Sequence, residues 1–135
     1  MGNGEKILLV EDNIEVLSAM RKVLVKAGFR IVEAASGDKA LQIFSEHSDI
    51  DLLLTDIVMP GELQGTTLAK ALRGLNPELP VAFMSGYASE ATVHGNGLRP
   101  EDIRLMKPVR RDDLLNAVRQ ALATEARPLT EDKVY

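Results

Sequence analysis

Short apolar runs alternate with stretches of helical period along most of the chain. Residues 6–10 (Lys-Ile-Leu-Leu-Val) form a brief continuous run cut off by acids, the pattern of a buried strand. From Asn13 the period lengthens: Val16, Leu17, Met20, Val23 and Leu24 fall at helical spacing, and Gly28 is placed to end that helix. Residues 29–34 predict a second strand, and Ser36 suits the cap of a second helix that buries Ala40, Leu41 and Phe44. Residues 51–55 predict a third strand, apolar enough to be buried on both faces. A turn at Met59, Pro60 and Gly61 leads to a third helix with Leu68, Ala71 and Leu72 inward, closing near Gly74. Residues 80–84 predict a fourth strand and 103–106 a short fifth. A final helix over about 110–123 buries Leu114, Leu115, Val118, Ala121 and Leu122. Between the last two strands, residues 89–94 have room for one or two turns. Gly95, Gly97 and Pro100 oppose a long helix, so this fourth helix is expected to be short or poorly ordered.

Five strands alternating with helices imply a parallel sheet covered on both faces. Right-handed crossovers leave few topologies, and at this size the flavodoxin-like, doubly wound (βα)5 order 2-1-3-4-5 leads. The chain divides into an N-terminal extension (1–5), one folded unit (6–123) and a polar tail or linker (124–135) containing Pro128. Met20, Met59, Met84 and Met106 are read as core or turn packing.

Composition narrows the function. The 135 residues suffice for one domain with a real core. Cysteine is absent, which removes disulfides, thiolate metal sites and cysteine nucleophiles together. The apolar runs are too short to cross a bilayer and the first six residues lack a secretory pattern, so the expected location is the cytoplasm, with no membrane contact. Net charge is −4, and the 16 basic residues are scattered among 20 acids, so DNA binding by this chain is not expected. His47 and His94 have no partners at metal-ligand spacing and receive no role.

In doubly wound sheets ligands bind beyond the carboxyl ends of the strands. Here Glu11 and Asp12 follow strand one, Asp56 strand three, Ser85 strand four and Lys107 strand five. Read alone, Asp12 could cap the first helix, and Asp56 could begin a turn. Together they crowd three carboxylates into one place, where a pair about 4 Å apart costs roughly 4 kcal/mol at an effective dielectric near 20. A hard divalent cation offsets that repulsion, and an all-oxygen site with few protein ligands suits Mg²⁺, with Mn²⁺ as a substitute. An aspartate can attack phosphorus to give an acyl phosphate, and the transfer needs alignment and neutralised oxygens, which Mg²⁺, Lys107 and the Ser85 hydroxyl supply. Asp56 is the best nucleophile, lying on the central strand between the acidic pair and the Lys-Ser side.

Four segments, Leu8-Leu9-Val10-Glu11-Asp12, Asp56-Ile57-Val58-Met59-Pro60-Gly61, Ser85-Gly86-Tyr87 and Lys107-Pro108, stand each after its own strand. In this the chain resembles a response-regulator receiver domain over roughly residues 6 to 123, particularly the stand-alone receivers and those at the carboxyl end of hybrid kinases. The resemblance implies that Asp56 is the phosphoacceptor, in a two-component phosphorelay. It makes Asp12 a direct Mg²⁺ ligand, Glu11 a contributor through water and the Val58 carbonyl a ligand. Ser85, with Gly86, becomes the switch and phosphate-binding position, and Lys107 pairs with the phosphate. It also implies a cis peptide before Pro108, a histidine kinase or histidine phosphotransfer protein as donor, and a downstream protein of unknown identity. Such a domain promotes its own phosphorylation and hydrolysis and is not a turnover enzyme.

One departure matters: the family's aromatic switch position, three residues before the lysine, holds Arg104. Tyr87 is the candidate substitute switch, or a lid over the site. Phosphorylation is expected to order residues 85–100. Two other readings are a phosphorylation-independent interaction module and a Mg²⁺-dependent aspartyl-phosphate phosphatase. The second needs an acid two residues after Asp56, where Val58 stands and cannot transfer a proton. No Gly-x-Gly-x-x-Gly or Walker loop is present, which removes a nucleotide-binding unit.

Overall fold

The breaks in hydrophobic pattern are where the elements begin and end. In the computed structural model, which describes residues 2–47, 49–58, 64–85 and 102–126, the order is β1 (Lys6–Val10), α1 (Ile14–Lys26), β2 (Arg30–Ala34), α2 (Gly37–Glu46), β3 (Leu52–Asp56), α3 (Gly65–Leu75), β4 (Val81–Ser85), β5 (Ile103–Met106) and α4 (Arg111–Ala126). The five strands form one parallel sheet in the order β2-β1-β3-β4-β5. Residues 89–100, Gly86, Tyr87, and the turn at Met59, Pro60 and Gly61 lie outside the described residues.

Local chemistry explains the helix ends. Asn13, not Asp12, caps α1: its side chain accepts the N–H groups of Glu15 and Val16. At the other end Gly28 takes φ +103° while its N–H donates to the Val25 carbonyl and that of Phe29 to the Leu24 carbonyl, closing a Schellman motif. Phe29 is thereby spent on the cap, and β2 starts one residue later than its apolar run. Ser36 caps α2 through the Lys39 N–H. Residues 2–5 lie on the α1–β2 turn, with the Gly2 N–H donating to the Ala27 carbonyl (2.7 Å) and the Gly4 N–H to the Gly28 carbonyl (2.9 Å).

Two apolar layers sandwich the sheet. Ile7, Leu9, Leu52, Leu54, Ala82, Met84 and Leu105 face α1 and α4, while Leu8, Val10, Leu53, Val81 and Phe83 face α2 and α3. Some inward positions differ from the periodic reading. Val16 is on the exposed side of the first turn of α1, Ala69 rather than Ala71 is buried in α3, and α4 continues to Ala126. Met106 is 58% exposed, unlike Met20 and Met84. It sits on the edge strand, on the side opposite α4, where none of the described helices packs over β5. Among the described residues, no helix is long and apolar enough to cross a membrane.

Candidate functional site

β3 and β4 each run one residue beyond the apolar segment that predicts them. The Ile57 N–H donates to the Met84 carbonyl (2.9 Å) and the Lys107 N–H to the Ser85 carbonyl (2.8 Å), so the ladder extends to the carboxyl edge. Asp56 and Ser85 are therefore the last residues of their strands rather than the first of their loops. Register then assembles the site. Val10 lies opposite Thr55, Asp56 opposite Met84, and Ser85 opposite Met106, so Glu11 comes level with Asp56, while Ser85 stands one residue and Lys107 two residues further along the same edge. Side chains alternate along a strand. Glu11 continues the row Ile7, Leu9; Asp56 continues Leu52, Leu54; Lys107 continues Leu105. All three belong to the row facing α1 and α4.

The result is a compact charged pocket. Lys107 Nζ lies 2.7 Å from Asp56 Oδ1 and 3.1 Å from Glu11 Oε1. Glu11 and Asp56 are buried and Asp12 is exposed at the rim, yet one carboxylate oxygen from each of the three lies within 4.8 Å of the others. Among the described residues, Lys107 is the one cation that meets these buried oxygens, and Asp56 Oδ2 is buried without a hydrogen-bond partner. Buried anionic oxygens in that condition carry a large desolvation cost. Burial pushes the Asp56 carboxyl up to about 8; Lys107 opposes that rise, and the Glu11 carboxylate adds to it. Lys107 feels burial as a downward influence, but Asp56 and Glu11 outweigh it and its pKa is raised.

Three carboxylates against one ammonium leave an excess negative charge, on oxygen donors alone. These residues fit a hard divalent cation: three clustered carboxylates share a single ammonium among the described residues, which leaves acceptor oxygens for a second positive charge to meet.

The other expected residues are distributed around this pocket. Ser85 is buried at the end of β4. Val58 follows two residues after Asp56 and is 47% exposed. The Lys107–Pro108 peptide is cis. Arg104 is exposed on β5, paired in register with Phe83. Gly86 and Tyr87 fall outside the described residues.

Two further residues serve the site without standing in any motif read above. Asn13 donates its backbone N–H to Glu11 Oε2 (3.0 Å). Gly65 opens α3 against the end of β3, donating its N–H to the Ile57 carbonyl (2.8 Å). A Cβ at position 65 would overlap the backbone carbonyl oxygen of Asp56, so only glycine allows this approach. The sole signal in the sequence was a glycine at the start of a predicted helix. Gly65→Ala is expected to cost about 2 kcal/mol or more, because backbone and not a pliable side chain must move. Urea unfolding of the two proteins checks this.

A parallel sheet in this order, with an acidic pocket and a lysine at its carboxyl edge, defines a flavodoxin-like, doubly wound architecture. Residues 7–119 match the family described as the response regulator receiver domain, and the chain belongs to that family. It is 34% identical over 119 residues to the response regulator receiver protein CpdR of Brucella abortus (strain 2308), covering 87% of this chain and 97% of that protein. It is 36% identical over 120 residues to the sensor kinase CckA of the same organism, covering 86% of this chain but only 12% of the kinase. A response regulator receiver protein from Sinorhizobium medicae WSM419 superposes with a TM-score of 0.82 at 31% identity, covering 90% of this chain and 97% of that one. The chain is thus a receiver domain of two-component signalling.

Proposed function

We propose that Asp56 accepts a phosphoryl group from a phosphohistidine, on a histidine kinase or a histidine phosphotransfer protein. Glu11, Asp12, Asp56 and the Val58 carbonyl would hold Mg²⁺ beside it. The observation that carries this reading is the state of Asp56: buried at the end of the central strand, 2.7 Å from Lys107 Nζ and clustered with the carboxylates of Glu11 and Asp12. An Asp56 oxygen forms the new O–P bond as the donor's P–N bond breaks, and the electron pair returns to the imidazole nitrogen. Lys107 takes up charge on the transferred oxygens, and the Ser85 hydroxyl donates to one of them. When bound, Mg²⁺ supplies positive charge that favours the Asp56 carboxylate over its acid and neutralises phosphoryl oxygens. The chain acts as an acceptor and not as a turnover enzyme, in the cytoplasm, and its output is altered contact with another protein or onward transfer. An exposed arginine at position 104 means that this output does not run through an aromatic ring at that position.

Incubation with acetyl phosphate and Mg²⁺, followed by intact mass measurement, tests the proposal. Wild type should gain one phosphoryl adduct that EDTA prevents, and Asp56→Asn should gain none. A wild type that stays unmodified with acetyl phosphate and with phosphohistidine donors would instead support a phosphorylation-independent interaction module.

A further inference from the structure

Glu11 is gripped from two directions. Its Oε1 lies 3.1 Å from Lys107 Nζ, and its Oε2 accepts the Asn13 backbone N–H at 3.0 Å. Asn13 is also the cap of α1, with an extended backbone (φ −84°, ψ 113°) and an Oδ1 that accepts the N–H groups of Glu15 (3.0 Å) and Val16 (3.1 Å). Those side-chain bonds fix the torsions of Asn13, and the torsions fix where its own N–H points. Glu11 is wholly buried, so no solvent competes for the carboxylate. Without the Asn13 N–H its remaining partner among the described residues is Lys107, which it shares with Asp56. A released Glu11 would be held through Oε1 alone and would be free to rotate out of the arrangement in which its oxygens cluster with those of Asp12 and Asp56.

We propose that Asn13 is a positioning residue of the acidic pocket: by capping α1 it aims the N–H that fixes Glu11, and so sets the geometry in which the pocket captures a divalent cation. This rests on the cation-assisted phosphoacceptor reading above. Asn13 meets no reacting atom. Its role passes through Glu11 alone.

Titration of the full chain with Mn²⁺, with no phosphodonor, followed calorimetrically, separates this role from helix capping. Asn13→Ser keeps a capping oxygen and should bind Mn²⁺ within about twofold of wild type. Asn13→Pro tolerates the observed φ but lacks the N–H, and should bind about tenfold more weakly or worse, the expected loss for a hydrogen bond to a charged group. Asn13→Ala should fall between them. Ser36→Ala, which removes the cap of α2, should keep wild-type affinity despite a comparable loss of helix stability. In acetyl phosphate labelling, Asn13→Ala should need more Mg²⁺ for half-maximal rate and reach the wild-type rate at saturation. Wild-type Mn²⁺ affinity in Asn13→Pro, or equal affinities in Asn13→Ala and Asn13→Ser should the proline variant not fold, would overturn the proposal. So would a labelling defect that no Mg²⁺ concentration repairs. A wild type that binds no Mn²⁺ would overturn the cation reading itself, and this inference with it.

Discussion

Asp102→Ala should lower the free energy of unfolding by about 3–5 kcal/mol, the cost of stranding a buried charge. Arg73 enters the interior from α3 and meets Asp102, just before β5, through two bonds of 3.0 Å and 2.6 Å, while its Nε donates to the Leu79 carbonyl at 3.2 Å. The paired side chains are only 7% and 2% exposed. A guanidinium stays charged under all folding conditions, so Arg73 cannot escape by losing a proton once Asp102 is gone. Water would have to enter, or α3 would have to part from the sheet edge. The double variant Arg73→Met, Asp102→Ala should recover much of the loss, since apolar replacements of a buried pair are often neutral. Urea midpoints of the three proteins measure the effect. A single-variant cost below about 1 kcal/mol would place this pair with surface ion pairs, against its geometry.

In EDTA, the stability of wild type should fall as pH rises from about 4 to 8, and Asp56→Asn should remove most of that slope. Burial raises the folded-state pKa of Asp56 to about 8 from its ordinary 3.8. The folded protein therefore holds the proton more tightly than the unfolded chain does. The stability linked to that proton is fully present below the unfolded pKa and is lost as pH climbs through the folded one. Tempered for the Lys107 ion pair, the difference between the ends of the window should be about 2–4 kcal/mol. Asn fills the same space without charge, so Asp56→Asn should be the more stable protein at pH 8 and nearly equal at pH 4. Urea midpoints at both pH values check it; a slope that persists in Asp56→Asn would assign it to other groups. Mg²⁺ at pH 8 should restore wild type and leave the variant nearly unchanged.

Sequence legibility followed physical cause. Strands buried on both faces read as apolar runs, so the acids that interrupt them at Glu11 and Asp56 stood out, and Lys107 did so beside Pro108. The ladder's last rung was not visible, because Asp56 and Ser85 are polar residues carried inside their strands by main-chain bonds. Asp12 and Asn13 are both good caps by composition; backbone torsion at the start of α1 decided for Asn13. Arg73 broke the periodicity of α3 by standing on its buried side, and its partner is 29 residues away. Pattern within a helix cannot find such a pair. Met106 was misjudged for a different reason: hydrophobicity reports what a side chain prefers, and an edge strand need not satisfy it.

The common row of Glu11, Asp56 and Lys107 restricts how this sequence can drift. Because each side chain's direction is counted in steps of two from the core residues before it, adding or deleting one residue within β1, β3 or β5 would turn its site residue toward the opposite layer. Compensation would require a matching change on the same strand. Substitutions can accumulate in these strands one at a time, whereas changes of length must collect in the connections between them.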